Sequence, residues 1–188
     1  MREGKFVEIE HKYRVGEDFD LGAFEQRLLA AQPEQHYTVE TTDTYFLLPG
    51  SPGWIYRHRR DARREELTVK NRTADSEHRT EINLALALGP EPQHAAVEAF
   101  LRSLGELRSA VLHKTVRVFY FPACEIVHYT AVAGGRTVHC VELEARGTTD
   151  LAAARQTLAH YTRLLGLEDA ERERRSLYDL LLASELEG

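Results

Sequence analysis

The sequence lacks the features that would place this protein in a membrane or outside the cell. No apolar run approaches the roughly 20 residues that a membrane-spanning helix needs, and the first residues contain no apolar core of a secretory signal peptide. The two cysteines, Cys124 and Cys140, form neither a disulfide framework nor a CxxC ligand pair. We therefore expect a cytoplasmic protein with buried, reduced thiols and no membrane partner.

Several familiar chemical motifs are missing as well. The sequence contains no GxSxG, no P-loop and no GxGxxG, and its nine histidines form no convincing metal-binding pair. The net charge of -6 argues against broad nucleic-acid binding, so we expect no nucleic-acid partner. Net charge does not say where the charges lie, and a small polyanion in a local basic pocket remains compatible with it.

The amino-acid composition is that of an ordinary globular domain. The chain has 188 residues, of which 43% are hydrophobic and 29% charged. This length is most simply a single domain spanning residues 1–188, large enough for a real core. The sequence leaves open whether that domain is a monomer or a homodimer.

The order of apolar patterns and turns predicts eight strands and four helices. We expect strands at 6–15, 37–48, 54–60, 67–72, 79–86, 111–121, 124–133 and 136–146. Helices are predicted at 20–31, 93–104, 150–165 and 170–186, with Asp150 as an N-cap and Gly166 as a C-cap. Gly134-Gly135 is a strong signal for a two-residue hairpin turn.

The first strand separates its charges from its apolar residues. Alternate residues of a strand point to opposite sides of the sheet, so Val7 and Ile9 face away from the charged residues between and after them. Other strands repeat the pattern, and the charged faces together carry Glu8, Glu10, Lys12, Arg14, Arg57, Arg59, Lys70, Arg72, Arg79, Glu81, Glu142 and Glu144. If amphipathic helices cover the apolar faces, the sheet closes into a barrel with a charged interior.

A charged barrel interior needs a ligand that balances it. Dry, unpaired charges would be very costly there, whereas a wet lumen holding a metal ion and a polyanion is tolerable. Carboxylate oxygens suit Mg²⁺ or Mn²⁺, and Arg and Lys side chains suit phosphate oxygens. The pattern therefore indicates a site for a metal–polyphosphate complex.

These residues resemble the ordered motifs of the CYTH family, also called triphosphate tunnel metalloenzymes. Glu8-x-Glu10-x-Lys12 resembles the ExExK signature of that family. The further matches are Asp43-Thr44-Tyr45-Phe46, Arg57-His58-Arg59, Thr68-Val69-Lys70, Arg79-Thr80-Glu81, Glu142-Leu143-Glu144 and Ser176-Leu177-Tyr178-Asp179-Leu180-Leu181. Each motif is weak by itself, but the ordered set is specific and spans essentially the whole chain.

The resemblance implies an α+β fold, a closed antiparallel eight-stranded β-barrel with helices packed outside it. It implies a divalent metal, Mg²⁺ or Mn²⁺, and a small-molecule triphosphate substrate. If the family's residue roles are transferred position by position, the metal ligands would be Glu8, Glu10, Glu142 and Glu144. The phosphate contacts would be Lys12, Arg57, Arg59, Lys70 and Arg79, while Arg72 would line the mouth and Glu81 would pair with basic residues.

Two strands depart from the family pattern. Where the family has a K-x-R pair, this chain has Lys114 and Arg117, which are three apart and face opposite sides unless a bulge intervenes. We expect Arg117 to face inward as a further phosphate contact, because Thr115 and Phe119 share its side. Lys114 is also a candidate phosphate contact, although its direction stays open.

The second departure is a missing Asp on the strand before E-x-E. A two-residue turn at Gly134-Gly135 would bring Glu125 and Tyr129 inward and leave His128 outside, whereas a three-residue turn would bring His128 in. Glu125 is thus a candidate fifth metal ligand, and weakened metal binding and an altered activity are the alternatives.

These residues favour an enzyme that hydrolyses a phosphoanhydride of a triphosphate, with Lys12 and Tyr45 as candidates for activating water. A class IV adenylyl cyclase, which would make cyclic AMP and pyrophosphate, is the alternative within the family. A module that binds a nucleotide or polyphosphate without turnover is the alternative of another class. The run from Arg172 to Arg175 is predicted to be a solvated helix face.

Overall fold

Eight antiparallel strands close into a barrel in the order β1-β5-β4-β3-β2-β6-β7-β8. The computed structural model describes residues 7–72 and 77–187. The strands are β1 (Val7–Val15), β2 (Gln35–Leu47), β3 (Trp54–Arg60), β4 (Glu65–Asn71), β5 (His78–Leu86), β6 (Arg108–Tyr120), β7 (Cys124–Ala133) and β8 (Arg136–Ala145). The predicted barrel is confirmed, and it is closed because the last strand pairs with the first.

Helices lie outside the barrel wall, as predicted. They are α1 (Leu21–Ala30), α2 (His94–Arg102) and α3 (Leu151–Leu165), followed by a π-helical turn (Tyr178–Leu182) that runs into α4 (Ala183–Leu186). Asp150 caps α3 by accepting from the amides of Ala152 and Ala153, and Gly166 ends that helix with φ of 70°. None of the helices in the described ranges is long and apolar enough to cross a membrane.

The outer faces of β1, β7 and β8 carry an apolar core that α1 and α3 cover. Ile9, Ile126 and Leu143 are fully buried there against Phe24 and Leu158. Helix α2 packs on a smaller cluster that contains Phe46 and Leu67. Since the apolar side of these strands faces the helices, the alternate side chains point into the barrel.

The β7–β8 hairpin sets the register of the inner face. Gly134 and Gly135 form its turn with φ of 55° and 73°, a conformation that residues with a Cβ rarely adopt. The turn pairs Glu125 with Glu144 and Val127 with Glu142 across the two strands. The two-residue turn predicted from the sequence is therefore confirmed.

The C-terminal segment differs from the prediction. A helix was predicted from residue 170, yet residues 170–176 are not helical, and the chain at Arg172 and Glu173 lies along β1. Arg172 forms a β-bridge with Tyr13, and the amide of Glu173 donates to the carbonyl of Lys12 at 2.8 Å. Because these backbone groups pair with β1, helical structure begins only at Tyr178, and the interpretation of 172–175 as a helix face was wrong.

The helical end of the same segment covers one end of the barrel. Inward side chains near that end are apolar, and they pack against Leu177, Tyr178, Leu181, Leu182 and Leu186. The strand residues of this cluster include Leu47, Ala110, Leu112, Ala131, Ala133 and Val138. The lumen is thus charged over only part of its length, and the C-terminal residues cover the apolar part.

Candidate active site

Charged side chains from all parts of the barrel line one cavity of about 470 Å³. Twelve of the thirteen residues predicted for the site line it: Glu8, Glu10, Lys12, Tyr45, Arg57, Arg59, Lys70, Arg79, Lys114, Glu125, Glu142 and Glu144. Since these residues come from all eight strands, only the closed barrel brings them together. The remaining residue, Arg117, lies elsewhere.

The acidic side of the cavity is formed by β1, β7 and β8. Glu144 lies between Glu10 and Glu125 in the register of the three strands, so carboxylates occupy adjacent positions. Burial, and then the negative charge of Glu144, raise the pKa of Glu125 to about 7. Burial and the charge of Glu10 likewise raise the pKa of Glu8. These carboxyls therefore take up a proton more readily than an exposed glutamate does.

Three of the acids are held by lysine or arginine. Lys70 lies 3.0 Å from Glu8, Arg79 lies 2.7 Å from Glu10, and Lys12 lies 3.2 Å from Glu142. Although burial alone would raise it, the charge of Lys12 and a hydrogen bond from Tyr129 hold the pKa of Glu142 at about 2. These pairs show how the lumen tolerates its charges.

The basic side is arranged around one buried carboxylate. Arg59 donates to both oxygens of Asp43, at 2.7 and 2.8 Å, and Lys114 lies 2.9 Å from the same carboxylate. Arg57 is positioned by Thr68, whose hydroxyl accepts from the guanidinium at 2.9 Å. Lys70 also pairs with Glu81, which confirms the pairing expected for that residue.

Comparison with models of known protein families gives the same family that the sequence motifs resemble. A family model described as the CYTH domain matches residues 7–177. The chain belongs to the CYTH family. A search of curated proteins found no match.

Solved structures share the CYTH barrel. PH1012 from Pyrococcus horikoshii OT3 has a TM-score of 0.72 and 21% identity over 93% of this chain and 99% of its own. A candidate adenylate cyclase from Vibrio parahaemolyticus has a TM-score of 0.67 and 18% identity over 95% and 98%. HpAC1 from Hippeastrum, a candidate adenylyl cyclase with a dominant triphosphatase activity, has a TM-score of 0.65 and 16% identity over 95% and 97%. At these identities the likeness shows the fold alone.

The expected direction of Arg117 was wrong. Its guanidinium pairs with Glu25 of α1 at 2.7 Å on the outside of the CYTH barrel, with 30% of its side chain exposed. Lys114, Val116 and Val118 line the cavity instead, because β6 keeps its regular alternation over these residues. Phe119 shares the side of Arg117 but packs outward on Phe24, so the aromatic residue marked a helix contact and not the lumen.

Lys114 is one of the most strongly perturbed bases of the cavity. Burial, and then the charge of Arg59, lower its pKa to about 7, although Asp43 opposes the shift. Lys12 and Tyr45, the residues predicted to activate water, differ from it. Despite burial the acids around Lys12 raise its pKa, and burial raises the pKa of Tyr45, so both keep their protons at neutral pH.

The strand without the family's Asp places Glu125 and Tyr129 in the cavity. The Tyr129 hydroxyl donates to Glu142 at 2.7 Å, a contact that sequence reasoning did not anticipate. His128 points outward and stacks on Phe19, with ring centroids 5.6 Å apart. Glu125 therefore faces the lumen, as the missing Asp was expected to do, whereas His128 faces outward.

The donor chemistry of the acidic side fits a divalent cation. Mg²⁺ and Mn²⁺ prefer carboxylate oxygens, and a cation there would relieve the repulsion that raises the pKa of Glu125. Among residues 7–72 and 77–187, no three His, Cys, Asp or Glu side chains already converge as a ligand set. Lysines and arginines hold several of these acids, so binding a metal would require them to exchange partners.

Proposed function

We propose that this CYTH protein is a divalent-metal-dependent enzyme that hydrolyses a phosphoanhydride bond of a small-molecule triphosphate. The observation that carries the proposal is the convergence of separate acidic and basic clusters in one cavity. A triphosphate would take the place of the carboxylates that pair with the bases, and a divalent cation would take the place of those bases beside the acids. Burial and the negative charge of Glu144 raise the pKa of Glu125, so the bases do not fully neutralise the acidic row.

The phosphate contacts would be Lys12, Arg57, Arg59, Lys70 and Arg79. Arg59 is oriented for this role, because its two hydrogen bonds to Asp43 fix the plane of the guanidinium group. Lys70 and Arg79 would exchange carboxylate for phosphate oxygens as the substrate enters. That exchange frees Glu8 and Glu10 on the acidic side.

The metal would be held by carboxylates from Glu8, Glu10, Glu142, Glu144 and Glu125. Bound Mg²⁺ or Mn²⁺ would neutralise phosphate charge and polarise the reacting phosphoryl group. Tyr129 would orient Glu142 through its hydrogen bond. Glu125 would contribute its negative charge at the end of the acidic row.

Lys114 is better suited than Lys12 or Tyr45 to accept the proton of the attacking water. Its amine is inside the cavity with a pKa of about 7, where a general base works best at neutral pH. Lys12 and Tyr45 would bind and orient phosphate oxygens instead. The lysine assignment predicts that Lys114→Arg lowers kcat strongly, because an arginine keeps its proton at neutral pH and cannot act as the acceptor.

The deciding experiment is an assay of the purified protein with Mg²⁺ or Mn²⁺ and a panel of tripolyphosphate, ATP and thiamine triphosphate. Phosphate release supports the proposal. Cyclic AMP with pyrophosphate would instead indicate a cyclase, and thermal stabilisation without product would indicate a binding module. Each outcome assigns the cavity to one chemistry.

Variants test whether the reaction occurs in this cavity. Removing one preorganised charged partner commonly lowers kcat by about 10²–10³. We expect at least that loss for Glu10→Ala, Arg59→Ala and Glu142→Ala. Arg117→Ala is the matched control, since it removes an arginine from the outside of the same barrel. Near-normal turnover by all three cavity variants would overturn the site.

A further inference from the structure

Two histidines meet on the outside of the barrel, where α2 packs against β3. His58 lies between Arg57 and Arg59, which line the lumen, so strand alternation turns its ring outward. His94 is the first residue of α2. The Nδ1 atoms of the two rings face each other at 3.4 Å. The residues are 36 positions apart in the chain, so only the fold brings them together and sequence spacing does not reveal the pair.

The other nitrogen of each ring lies beside a carboxylate. Nε2 of His58 lies 2.9 Å from Glu65, and Nε2 of His94 lies 3.6 Å from Glu98. Glu65 also accepts a hydrogen bond from Arg60 at 3.0 Å, so it acts as an acceptor and His58 donates to it through Nε2. The Nδ1 atom of His58 therefore presents a lone pair toward His94. A carboxylate beside the second nitrogen is also the usual setting of a histidine that binds a metal through its first.

The distance between the two Nδ1 atoms suits a shared cation better than a hydrogen bond. Hydrogen bonds from N–H groups in proteins are typically about 2.7–3.2 Å long, which is shorter than the 3.4 Å observed. Two imidazole nitrogens that bind one tetrahedral Zn²⁺ at about 2.0–2.1 Å lie about 3.3–3.4 Å apart. The histidine pair thus already has the spacing of two ligands of one cation.

The surroundings hold one ring in place and leave the other accessible. The side chains of His58 and Glu65 are only 4% and 0% exposed. The His94 side chain is 41% exposed, and its ring stacks on Phe46 with centroids 5.9 Å apart. A cation can therefore reach the pair from solvent and retain water ligands on the open side.

The chemistry of these ligands differs from that of the acidic row in the lumen. Imidazole nitrogens suit Zn²⁺, Cu²⁺ and Ni²⁺, whereas Mg²⁺ prefers oxygen ligands. The two places should therefore select different cations. Binding at the histidine pair does not require a triphosphate.

We propose that His58 and His94 form a second metal site, which binds a transition-metal cation such as Zn²⁺ with water in the remaining positions. The cation links β3 to the first turn of α2. That turn is otherwise attached by a hydrogen bond from the amide of Gln93 to Glu65, and by the small apolar cluster under the helix. The site lies outside the lumen, and the inference does not depend on the proposed triphosphatase activity.

The test is a calorimetric titration of the purified protein with ZnCl₂ in excess Mg²⁺. Wild-type protein is expected to bind one equivalent of Zn²⁺ that Mg²⁺ does not displace. Loss of a carboxylate that orients a histidine ligand commonly lowers metal affinity by about 10–100-fold, and loss of the ligand itself should cost at least as much. We therefore expect His94→Ala to weaken the binding of that equivalent by at least about tenfold.

His113→Ala is the matched control, since it removes an exposed histidine from the outer face of β6. It should bind Zn²⁺ as the wild type does. Zn²⁺ should also raise the melting temperature of the wild type and of His113→Ala but not that of His94→Ala, because a ligand that binds only the native state stabilises it. With Cu²⁺ as the probe, electron paramagnetic resonance should show two nitrogen ligands in the wild type.

His58→Gln should lose Zn²⁺ binding as well. Because His58 is buried, circular dichroism must first show that this variant folds, and His94→Ala decides the question if it does not. Absence of Zn²⁺ binding by the wild type, displacement of the bound Zn²⁺ by Mg²⁺, or an unchanged affinity in His94→Ala would overturn the inference. None of these results depends on turnover, so they leave the triphosphatase proposal to its own assay.

Discussion

Arg59 donates two hydrogen bonds, of 2.7 and 2.8 Å, to the carboxylate of Asp43, and the Asp43 side chain is completely buried. Lys114 approaches the same carboxylate at 2.9 Å. One acid thus orients two bases from different strands toward the lumen. Although burial would raise it, the charges of Arg59 and Lys114 hold the pKa of Asp43 well below its usual value.

Asp43→Asn should destabilise the barrel strongly, because it removes the nearest counter-ion of the buried Arg59 guanidinium. Breaking a buried pair in this way typically costs about 3–5 kcal/mol of unfolding free energy. Urea denaturation at pH 7 measures the loss. Glu25→Gln is the control, since it breaks a half-exposed pair with Arg117 and should cost at most about 1 kcal/mol.

The pH dependence of this pair has a definite sign. A carboxyl whose pKa is lowered by folding stabilises the native state above its unfolded pKa and loses that contribution as the pH falls through its native pKa. The difference in stability between wild type and Asp43→Asn should therefore be largest near neutral pH and shrink in strong acid. A difference that is constant from pH 7 to pH 2 would contradict this role.

Tyr129→Phe should weaken the metal-dependent activity without abolishing it. The hydroxyl donates to Glu142 at 2.7 Å and helps to hold that carboxylate ionised. Loss of a partner that orients a metal ligand commonly lowers metal affinity by about 10–100-fold. The half-saturating Mg²⁺ concentration should rise accordingly, with kcat at saturating Mg²⁺ much less affected. An unchanged Mg²⁺ titration would show that Tyr129 does not act through Glu142.

His128 should make the fold less stable in mild acid. Its ring is 4% exposed between Phe19 and Phe24, and burial, followed by Arg117 and His139, lowers its pKa to about 4. In the unfolded chain His128 binds a proton near pH 6.5, whereas the native ring stays neutral down to about pH 4. The free energy of unfolding therefore falls as the pH drops from about 6.5 toward 4, by up to roughly 3 kcal/mol.

His128→Phe should remove this part of the acid sensitivity, because phenylalanine keeps the stacking and cannot titrate. Unfolding free energies at pH 7 and pH 5 provide the measurement. His160→Phe, on the exposed side of α3, is the matched control and should retain the wild-type slope. Equal slopes for all three proteins would show that His128 does not titrate abnormally.

Much of the site was predictable because strand alternation and one turn determine which side chains face inward. The carboxylates of Glu8, Glu10, Glu142 and Glu144 follow a strict two-residue spacing, and the Gly134-Gly135 turn then places Glu125. Arg117 was misplaced because its neighbours alone do not reveal that α1 lies over them. A sequence pattern identifies two faces, but tertiary packing decides which face is inside.

The C-terminal segment was mispredicted for a related reason. Its polar residues have ordinary helix propensity, but the extended stretch at Arg172 and Glu173 gains backbone hydrogen bonds from β1. Such long-range pairing overrides a weak local preference. The apolar end of the lumen was also missed, since no local pattern shows that Leu181 and Leu182 pack against inward-facing strand residues.

That C-terminal packing leads to a last prediction, that Leu182→Ala destabilises the whole barrel. Leu182 is completely buried in the cluster that fills one barrel end, and truncating a buried leucine typically costs about 2–5 kcal/mol. Leu84→Ala, which removes a leucine that is 50% exposed, is the control and should cost much less. Urea denaturation of the three proteins provides the comparison. If Leu182→Ala were as stable as the control, packing of the C-terminal turn would contribute little to the free energy of unfolding, and the barrel would be stable without that turn.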